Sequence, residues 1–157
     1  LKISLYLISD IESKKGSHIK KIQKEIKLSE NIFITGFLSN KEKSILLESA
    51  DAFIHLRPFL KETFFAFPTR IPEYLAYEKP IILTNCPPFS DYFTHLKDCF
   101  LVNKKNKIID IYKAIQVLYN DQKLCSYIGS NCVELVNKNF SSEVNGNKLN
   151  NFIKSFK

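Results

Sequence analysis

The chain has little of what metal sites and disulfide frameworks are made from. Of its 157 residues only 4 are cysteine and 3 are histidine, and the cysteines show no C-x-x-C spacing. Cys125 and Cys132 are seven residues apart, so on a helix they would lie on one face, as small core residues do. Neither a disulfide framework nor a zinc site is expected. No Ser-His-Asp arrangement emerges either, and the sequence assigns no catalytic residue.

Long hydrophobic runs are also missing. No apolar run is long enough to cross a bilayer, and no signal peptide, internal repeat, low-complexity segment or interdomain linker is visible. A chain of this length is the size of one domain and can bury a core. We expect a single domain over residues 1–157 in a reducing, cytoplasmic setting. Because the chain starts at Leu1 and enters a strand almost at once, we expect it to be a fragment.

Positive charge is in excess. Lys and Arg outnumber Asp and Glu by 23 to 16, which gives a formal net charge of +7. The lysines are spread over residues 14–27, residues 104–107 and the C-terminus, with acids between them, as on solvated helix faces. No RNA-binding or helix-turn-helix signature accompanies them, so no nucleic acid is expected as a partner.

Hydrophobic periodicity predicts strands that alternate with helices. Short apolar runs predict five strands, at residues 2–8, 31–35, 51–56, 81–84 and 98–102. Such alternation predicts an α/β fold, a Rossmann-like parallel sheet with helices on both faces. Helices are predicted around residues 19–26, over 41–49, through Glu73 and ended by Pro80, over 122–137 and over 142–156. A further helix is predicted from residue 106 or 107, with Ile108, Ile111, Ile115 and Leu118 inward. Ser39 and Glu42 predict a capping box for the second of these.

Candidate binding residues follow the predicted strands. The carboxyl ends of parallel strands meet at one edge of a sheet, where ligands bind in such folds. Gly36, the loop 57–67 and the loop 84–90 all lie at those ends, so we expect them to converge. Arg57 is able either to reach a phosphate or to form a surface salt bridge. The aromatic residues of its loop are expected to pack together, with some of them lining the crevice: Phe59, Phe64, Phe65 and Phe67.

The stretch 68–84, PTRIPEYLAYEKPIILT, carries the main candidate site. Pro68, Thr69 and Arg70 lie at the predicted start of the helix that Pro80 ends. Backbone N–H groups there bind phosphate, and a guanidinium suits bidentate phosphate contact. The Glu73 carboxylate is able to accept hydrogen bonds from two hydroxyls. The alternatives are a solvated loop for Thr69 and Arg70, and a helix-dipole role for Glu73.

In four segments, taken in order, the sequence resembles the retaining group 1 glycosyltransferases of the GT-B fold. The segment EYLAYEKPII at 73–82 is similar to the family pattern Glu-Ala/Tyr-φ-Ala-x-Gly-Lys-Pro-φ-φ, with Glu78 in place of the glycine. The segments NIFITGFL at 31–38, SADAFI at 49–54 and DCFLV at 98–102 resemble other family segments. The resemblance therefore covers nearly the whole chain and implies the C-terminal half of a GT-B enzyme.

The resemblance implies roles for single residues at the predicted helix start. Glu73 would accept hydrogen bonds from the ribose of a nucleotide, and Thr69 and Arg70 would hold its diphosphate. Pro68 stands where the family has a glycine, and Arg70 would compensate for the missing N–H. The family's acid that contacts the transferred sugar is replaced here by Phe65.

The resemblance also implies a place for the base. Phe37 and Leu38, which follow Gly36, would flank the nucleobase; their other interpretation is core packing at a strand end.

The function that the resemblance implies is binding of a UDP- or GDP-linked sugar by the donor domain of a retaining glycosyltransferase. The enzyme would move a hexose-type sugar to a glycan or lipid-linked acceptor of the cell envelope, with no cofactor and no protein-held metal. The family's acceptor domain and first strand-helix unit would precede Leu1, so the isolated chain is expected to be inactive. Lipid-linked acceptors and the basic surface favour peripheral contact with the inner face of the membrane.

Two alternatives stay open from the sequence. One is a non-catalytic binding or assembly module of the same fold that lost part of the donor site, which Phe65, Pro68 and Glu78 favour. The other is a nucleotide-sugar epimerase of the same two-domain architecture.

Overall fold

The computed structural model describes residues 3–8, 21, 29–103 and 107–156. The chain divides into two compact units, Leu1–Glu48 and Ser49–Lys157. The described strands form parallel sheets with helices around them, so the predicted α/β class is confirmed. These strands pair as one two-stranded and one three-stranded sheet. The helix predicted around residues 19–26 lies outside the described residues.

The first unit contains a two-stranded parallel sheet. β1 (Leu5–Leu7) pairs with β2 (Ile32–Ile34), and a 3-10 turn at Ser29–Asn31 precedes β2. Both strands fall inside the predicted ranges and are shorter, because only residues with an aligned partner on the neighbouring strand belong to the ladder. Tyr6 and Phe33 are direct cross-strand partners and their rings stack, with centroids 4.9 Å apart. This aromatic pair stabilises the two-stranded sheet.

Helix α1 (Asn40–Ser49) begins with the predicted capping box. The Ser39 N–H donates to Glu42 Oε2 at 2.8 Å, and the Glu42 N–H donates to Ser39 Oγ at 3.3 Å. These bonds satisfy donors that a helix leaves unpaired at its first turn. Hydrogen bonds from the side chain and the backbone of Ser39 hold the pKa of the Glu42 carboxyl below its usual value.

The second unit is built on three described parallel strands in the order β3-β4-β5. They are β3 (Phe53–His55), β4 (Ile81–Thr84) and β5 (Phe100–Val102). β4 is central and all four of its residues are buried, as expected of a strand covered on both faces. In the register, His55 pairs with Leu83, and Thr84 pairs with Val102. The carboxyl ends of β3 and β4 therefore lie side by side.

The helices described in this unit number six: α2 (Lys61–Phe64), α3 (Arg70–Leu75), α4 (Phe89–Tyr92), α5 (Lys107–Asn120), α6 (Gln122–Asn139) and α7 (Ser142–Lys154). The predicted helices in α3 and in α5 to α7 are confirmed, except that α3 ends at Leu75 and a turn at residues 76–78 precedes Pro80. Helices α2 and α4 are single turns that the sequence does not predict. Asp121 caps α6 and Ser141 caps α7 through side-chain oxygens. Helix α5 packs on β5 and α6, and α6 also contacts α3 and α7.

The core of the second unit lies between β4 and helices α3, α4 and α6. Its fully buried side chains include Ile71, Leu75, Phe89, Ile128 and Cys132. The prediction that Cys132 is a small core residue is confirmed, while Cys125 is half-buried. The prediction that Ile108 points inward is wrong, because its side chain is 84 % exposed and Ala114 and Leu118 form the buried face of α5.

The turn that follows α3 packs directly on α6. Glu78 has a positive φ of 58°, a conformation that favours glycine, and it occupies the position where the resembled family has a glycine. A Cβ placed on Gly129 would lie 2.2 Å from the Glu78 carbonyl oxygen, so only glycine permits this approach. Ser130 Oγ donates to Glu78 Oε1 at 3.1 Å and closes the contact.

Candidate functional site

The ends of β3 and β4 are joined by a buried hydroxyl. The Arg57 N–H donates to Thr84 Oγ1 at 2.8 Å, and that hydroxyl donates to the Arg57 carbonyl at 3.2 Å. Thr84 is fully buried, so the pair satisfies polar groups that would otherwise be costly inside the protein. The start of the loop that follows β3 is thereby fixed on the sheet edge.

The side chain of Arg57 holds the same loop at its other end. Its Nη1 donates to the carbonyl of Ala66, and its guanidinium lies 5.8 Å from the centroid of the Phe89 ring, within the range of a cation–π contact. A guanidinium has five N–H donors, so this anchoring leaves others for a ligand. The contacts described for the Arg57 side chain therefore hold its own loop, through Ala66 and Phe89.

The positive charges of Arg57 and Arg70 both act on His55. It is the last residue of β3 and half-buried, with its ring edge-on to Phe89 at 6.0 Å. Burial lowers the pKa of His55, and the positive charges of Arg57 and Arg70 lower it further. Both guanidinium groups therefore disfavour the protonated form of this imidazole.

The start of α3 presents polar side chains without a side-chain cap. Thr69 has helical backbone angles and makes no side-chain cap hydrogen bond, and both Thr69 and Arg70 are exposed. Pro68 is half-buried, and its carbonyl accepts from the N–H of Ile71 at 3.1 Å. Glu73 is half-buried in the first turn. The helix has six residues, so its dipole contributes less than a long helix would.

The aromatic loop divides into a packed part and an exposed part. Phe67 is half-buried, stacks on Phe140 at 5.0 Å and contacts Phe89 edge-on at 5.9 Å. The packing predicted for this loop is confirmed for Phe67. It is wrong for Phe65, which is 91 % exposed beside the anchored Ala66. Phe65 therefore presents an exposed ring at the position where the resembled family has an acid.

Gly36, Phe37 and Leu38 lie in the first unit. Gly36 has a φ of 71°, which directs the chain into a turn that other residues adopt only with strain. Phe37 is 88 % exposed and Leu38 is half-buried, so core packing is wrong for Phe37. The structure groups the other predicted site residues in the second unit: Arg57, Pro68, Thr69, Arg70 and Glu73.

Some polar residues at the strand ends are not among the predicted site residues. Asn85 Nδ2 donates to Asn103 Oδ1 at 2.8 Å, and the Asn103 N–H donates to Asp110 Oδ2 at 3.0 Å. His55 and Thr84 are further residues of this kind. Their sequence signal is a polar residue at the end of an apolar strand run. His55 and Thr84 lie at the ends of two predicted strands, and Asn85 and Asn103 directly follow two of them.

The buried thiols are core groups and not nucleophiles. All four cysteines are free. Burial and the nearby Asp98 raise the pKa of the Cys132 thiol to about 12, and the same two causes raise the pKa of Cys99. A thiol with such a pKa stays protonated and unreactive at neutral pH. Within the described ranges, no group of three metal-binding side chains is found, and no described helix is long and apolar enough to span a membrane.

One family model matches most of the chain. The model described as glycosyl transferases group 1 matches residues 6–134. No curated protein matches the chain.

Solved structures of much longer chains share this fold. The glycosyltransferase from Rickettsia africae ESF-5 is 21 % identical, with a TM-score of 0.81 over 98 % of this chain and 40 % of that chain. Sucrose-phosphate synthase from Thermosynechococcus elongatus is 17 % identical, with a TM-score of 0.77 over 99 % of this chain and 38 % of that one. Anabaena HepE in complex with UDP is 16 % identical, with a TM-score of 0.80 over 98 % and 41 %. At these identities the likeness shows the fold, and the chain spans about two fifths of each neighbour's length.

Proposed function

The chain belongs to the group 1 glycosyl transferases, and from that premise we propose that it binds the nucleotide-diphosphate-sugar donor of a retaining glycosyltransferase. The observation that carries the proposal is Arg57, which Thr84 fixes at the carboxyl ends of β3 and β4 and whose guanidinium lies near the Phe89 ring. Arg70, at the start of α3, adds a second positive charge that acts on His55. Two cations at this edge of a parallel sheet suit a diphosphate. A structural neighbour, HepE, is solved in complex with UDP-glucose, which supports a donor of this class.

The proposal gives each site residue a task. Arg57 and Arg70 bind the diphosphate through charge-assisted hydrogen bonds, and Thr69 contributes its backbone and hydroxyl beside Pro68. Glu73 accepts hydrogen bonds from the ribose hydroxyls. The residues of the first unit, Gly36, Phe37 and Leu38, contact the nucleobase; the exposed ring of Phe37 suits stacking on a base.

The proposed reaction moves a hexose-type sugar to a glycan or lipid-linked acceptor of the cell envelope. Positioning of the donor and stabilisation of the departing diphosphate supply most of the rate, without a cofactor or a protein-held metal. The site is proposed to work at the cytoplasmic face of the membrane, where the basic surface contacts anionic lipid. We expect the chain alone to bind the donor but to show no measurable sugar transfer. Transfer by the chain alone would contradict the proposal that it supplies only the donor site.

The experiment that tests donor binding is a ligand-observed NMR titration with UDP, GDP, UDP-glucose and GDP-mannose. We expect binding of one base series, weakened about tenfold by Glu73→Gln, since a hydrogen bond to a charged group contributes about 1.5–3 kcal/mol. Glu134→Gln removes an exposed acid of α6 and serves as the matched control. Equal affinity of the wild type and Glu73→Gln would contradict the role of Glu73.

The second candidate is a binding or assembly module that does not use a sugar donor. The exposed Phe65, at the position of the sugar-contacting acid of the family, favours it. This candidate predicts that a folded chain binds none of the four nucleotides. Circular dichroism on the same samples establishes that the chain is folded. Absence of nucleotide binding by the folded chain would then support a binding or assembly module.

A further inference from the structure

His55 and Arg57 share one buried aromatic ring. The Phe89 ring, fully buried in α4, contacts His55 edge-on at 6.0 Å and carries the Arg57 guanidinium 5.8 Å from its centroid. The backbone of Arg57 is fixed by Thr84, and its Nη1 by Ala66. Both side chains are therefore held in place before any ligand arrives, which lowers the entropy cost of binding.

The charges that act on this imidazole are both positive. His55 is faced by Phe89 from α4, by Arg57 from the loop after β3 and by Arg70 from α3, and the two guanidiniums, together with burial, favour its neutral form. A protonated His55 would be a third positive charge here, and the charges of Arg57 and Arg70 would repel it. An anion bound beside the two arginines reverses that balance, because it cancels their field and attracts a protonated imidazole.

We propose that His55 is a third member of this anion-binding cluster and takes up a proton from solvent when the diphosphate of a nucleotide sugar binds to Arg57 and Arg70. No covalent bond changes among the heavy atoms; the proton goes to a ring nitrogen of His55, and the imidazolium then donates to a phosphate oxygen. The inference rests on the proposed donor function and adds a specificity-determining residue to it. Because linkage is reciprocal, the nucleotide sugar binds more tightly as the pH falls.

The test is an NMR measurement of the His55 pKa with and without an added anion. The chain has only 3 histidines, so His55→Gln, His95→Gln and His18→Gln assign the imidazole signals, and any two of these variants suffice if the third does not fold. The probes are inorganic diphosphate, UDP-glucose and GDP-mannose at saturation. We expect the His55 pKa in the wild-type chain to rise by about one unit or more, as for an opposite charge within a few ångströms. The signals of His95, whose Nδ1 accepts from the Leu101 N–H, are not expected to move.

Binding affinity gives an independent readout. A rise of one unit in the His55 pKa makes nucleotide-sugar binding up to about tenfold tighter at low pH than at high pH. Both phosphates of a nucleotide sugar are esterified, so their charge is constant between about pH 6 and pH 8 and the pH dependence reports on the protein. We expect His55→Gln to abolish this dependence. Arg70→Gln is expected to reduce the ligand-induced shift, whereas Lys138→Gln, which removes a charge from an exposed position of α6, is not.

The outcomes separate this inference from the donor function. A nucleotide sugar that binds without moving the His55 pKa overturns the inference and leaves the donor function standing. If inorganic diphosphate raises the pKa while the nucleotide sugars bind no more tightly than it does, the cluster is supported and the donor function is contradicted. Binding of none of the three probes contradicts both.

Discussion

The two ends of helix α3 contact very different surroundings. At its N-terminal end, Thr69 and Arg70 are exposed, and the side chain of Thr69 makes no cap. In the turn beyond its C-terminal end, the carbonyl of Glu78 lies directly against Gly129, and the Glu78 carboxylate accepts a hydrogen bond from Ser130. One end has exposed charged and polar groups, while the turn beyond the other end is fixed on α6.

This contrast explains why departures from the family pattern have different consequences along one segment. Glu78 replaces a glycine at the packed end, where it costs strain but keeps the contact with α6. Phe65 replaces an acid near the N-terminal end and leaves an exposed ring. The first change lies in a packed contact of the fold, whereas the second lies at the surface. We therefore expect substitutions at the two ends to separate stability from binding.

The largest effect on stability is expected from Gly129→Ala. The added Cβ would lie 2.2 Å from the Glu78 carbonyl oxygen and 2.8 Å from its carbon, and neither backbone atom can move without shifting α3. We expect a loss of about 1–3 kcal/mol in the free energy of unfolding, as for other overpacked sites, measured by urea denaturation.

The matched control for this substitution is Gly146→Ala in α7. Nothing lies within 4 Å of a Cβ at Gly146, so alanine there gains about 0.5–1 kcal/mol of helix propensity. A loss at Gly146 equal to the loss at Gly129 would show that close packing on α6 is not the cause. Nucleotide affinity is expected to stay unchanged in both variants while they are folded.

A smaller effect is expected from Glu78→Gly. The positive φ of 58° costs a non-glycine residue about 1 kcal/mol, and the substitution removes that strain. It also removes the exposed hydrogen bond from Ser130, which contributes less than about 0.5 kcal/mol at the surface. We expect a net gain of about 0.5–1 kcal/mol in the free energy of unfolding, measured by urea denaturation.

The variant Ser130→Ala tests the two contributions to that result separately. It removes the hydrogen bond and leaves the backbone of Glu78 unchanged. If Glu78→Gly destabilises the chain by as much as Ser130→Ala does, backbone strain contributes nothing at this position.

Much of the fold could be predicted from the sequence, because it depends on local patterns. The apolar run at 81–84 predicts the buried central strand, and the Ser39 and Glu42 pair predicts the cap of α1, which the structure reproduces. Helices α2 and α4 could not be predicted, because each is a single turn whose few residues carry no periodic signal. The spacing of Ile108 predicts an inward position, yet Ile108 is exposed in the first turn of α5, while the buried residues Ala114 and Leu118 lie further along that helix.

The site could be predicted only in part. Its location at the strand ends follows from topology, and the positions of Arg57 and Arg70 make them candidates. The contacts that hold Arg57 come from residues far from it in the sequence. The Thr84 hydroxyl that holds Arg57 and the Phe89 ring that carries its guanidinium are long-range partners. No spacing rule connects them, so the anchoring of Arg57 and the surroundings of His55 required the structure.

The smallest expected effect concerns acid stability at the N-terminal end. Burial and the two arginines lower the pKa of His55 below its ordinary 6.5 in the folded chain. The contribution of His55 to stability is therefore present above about pH 6.5 and is lost as the pH falls through the folded pKa, because the unfolded chain then binds the proton first. The difference in unfolding free energy between the wild type and His55→Gln is expected to fall between about pH 7 and pH 5, measured by urea denaturation. Saturating inorganic diphosphate is expected to reduce that fall, since the anion favours the protonated imidazole. Parallel stability curves for the two proteins over this range would show that Arg57 and Arg70 place no cost on a charged His55, and the contrast along α3 would then be one of packing alone.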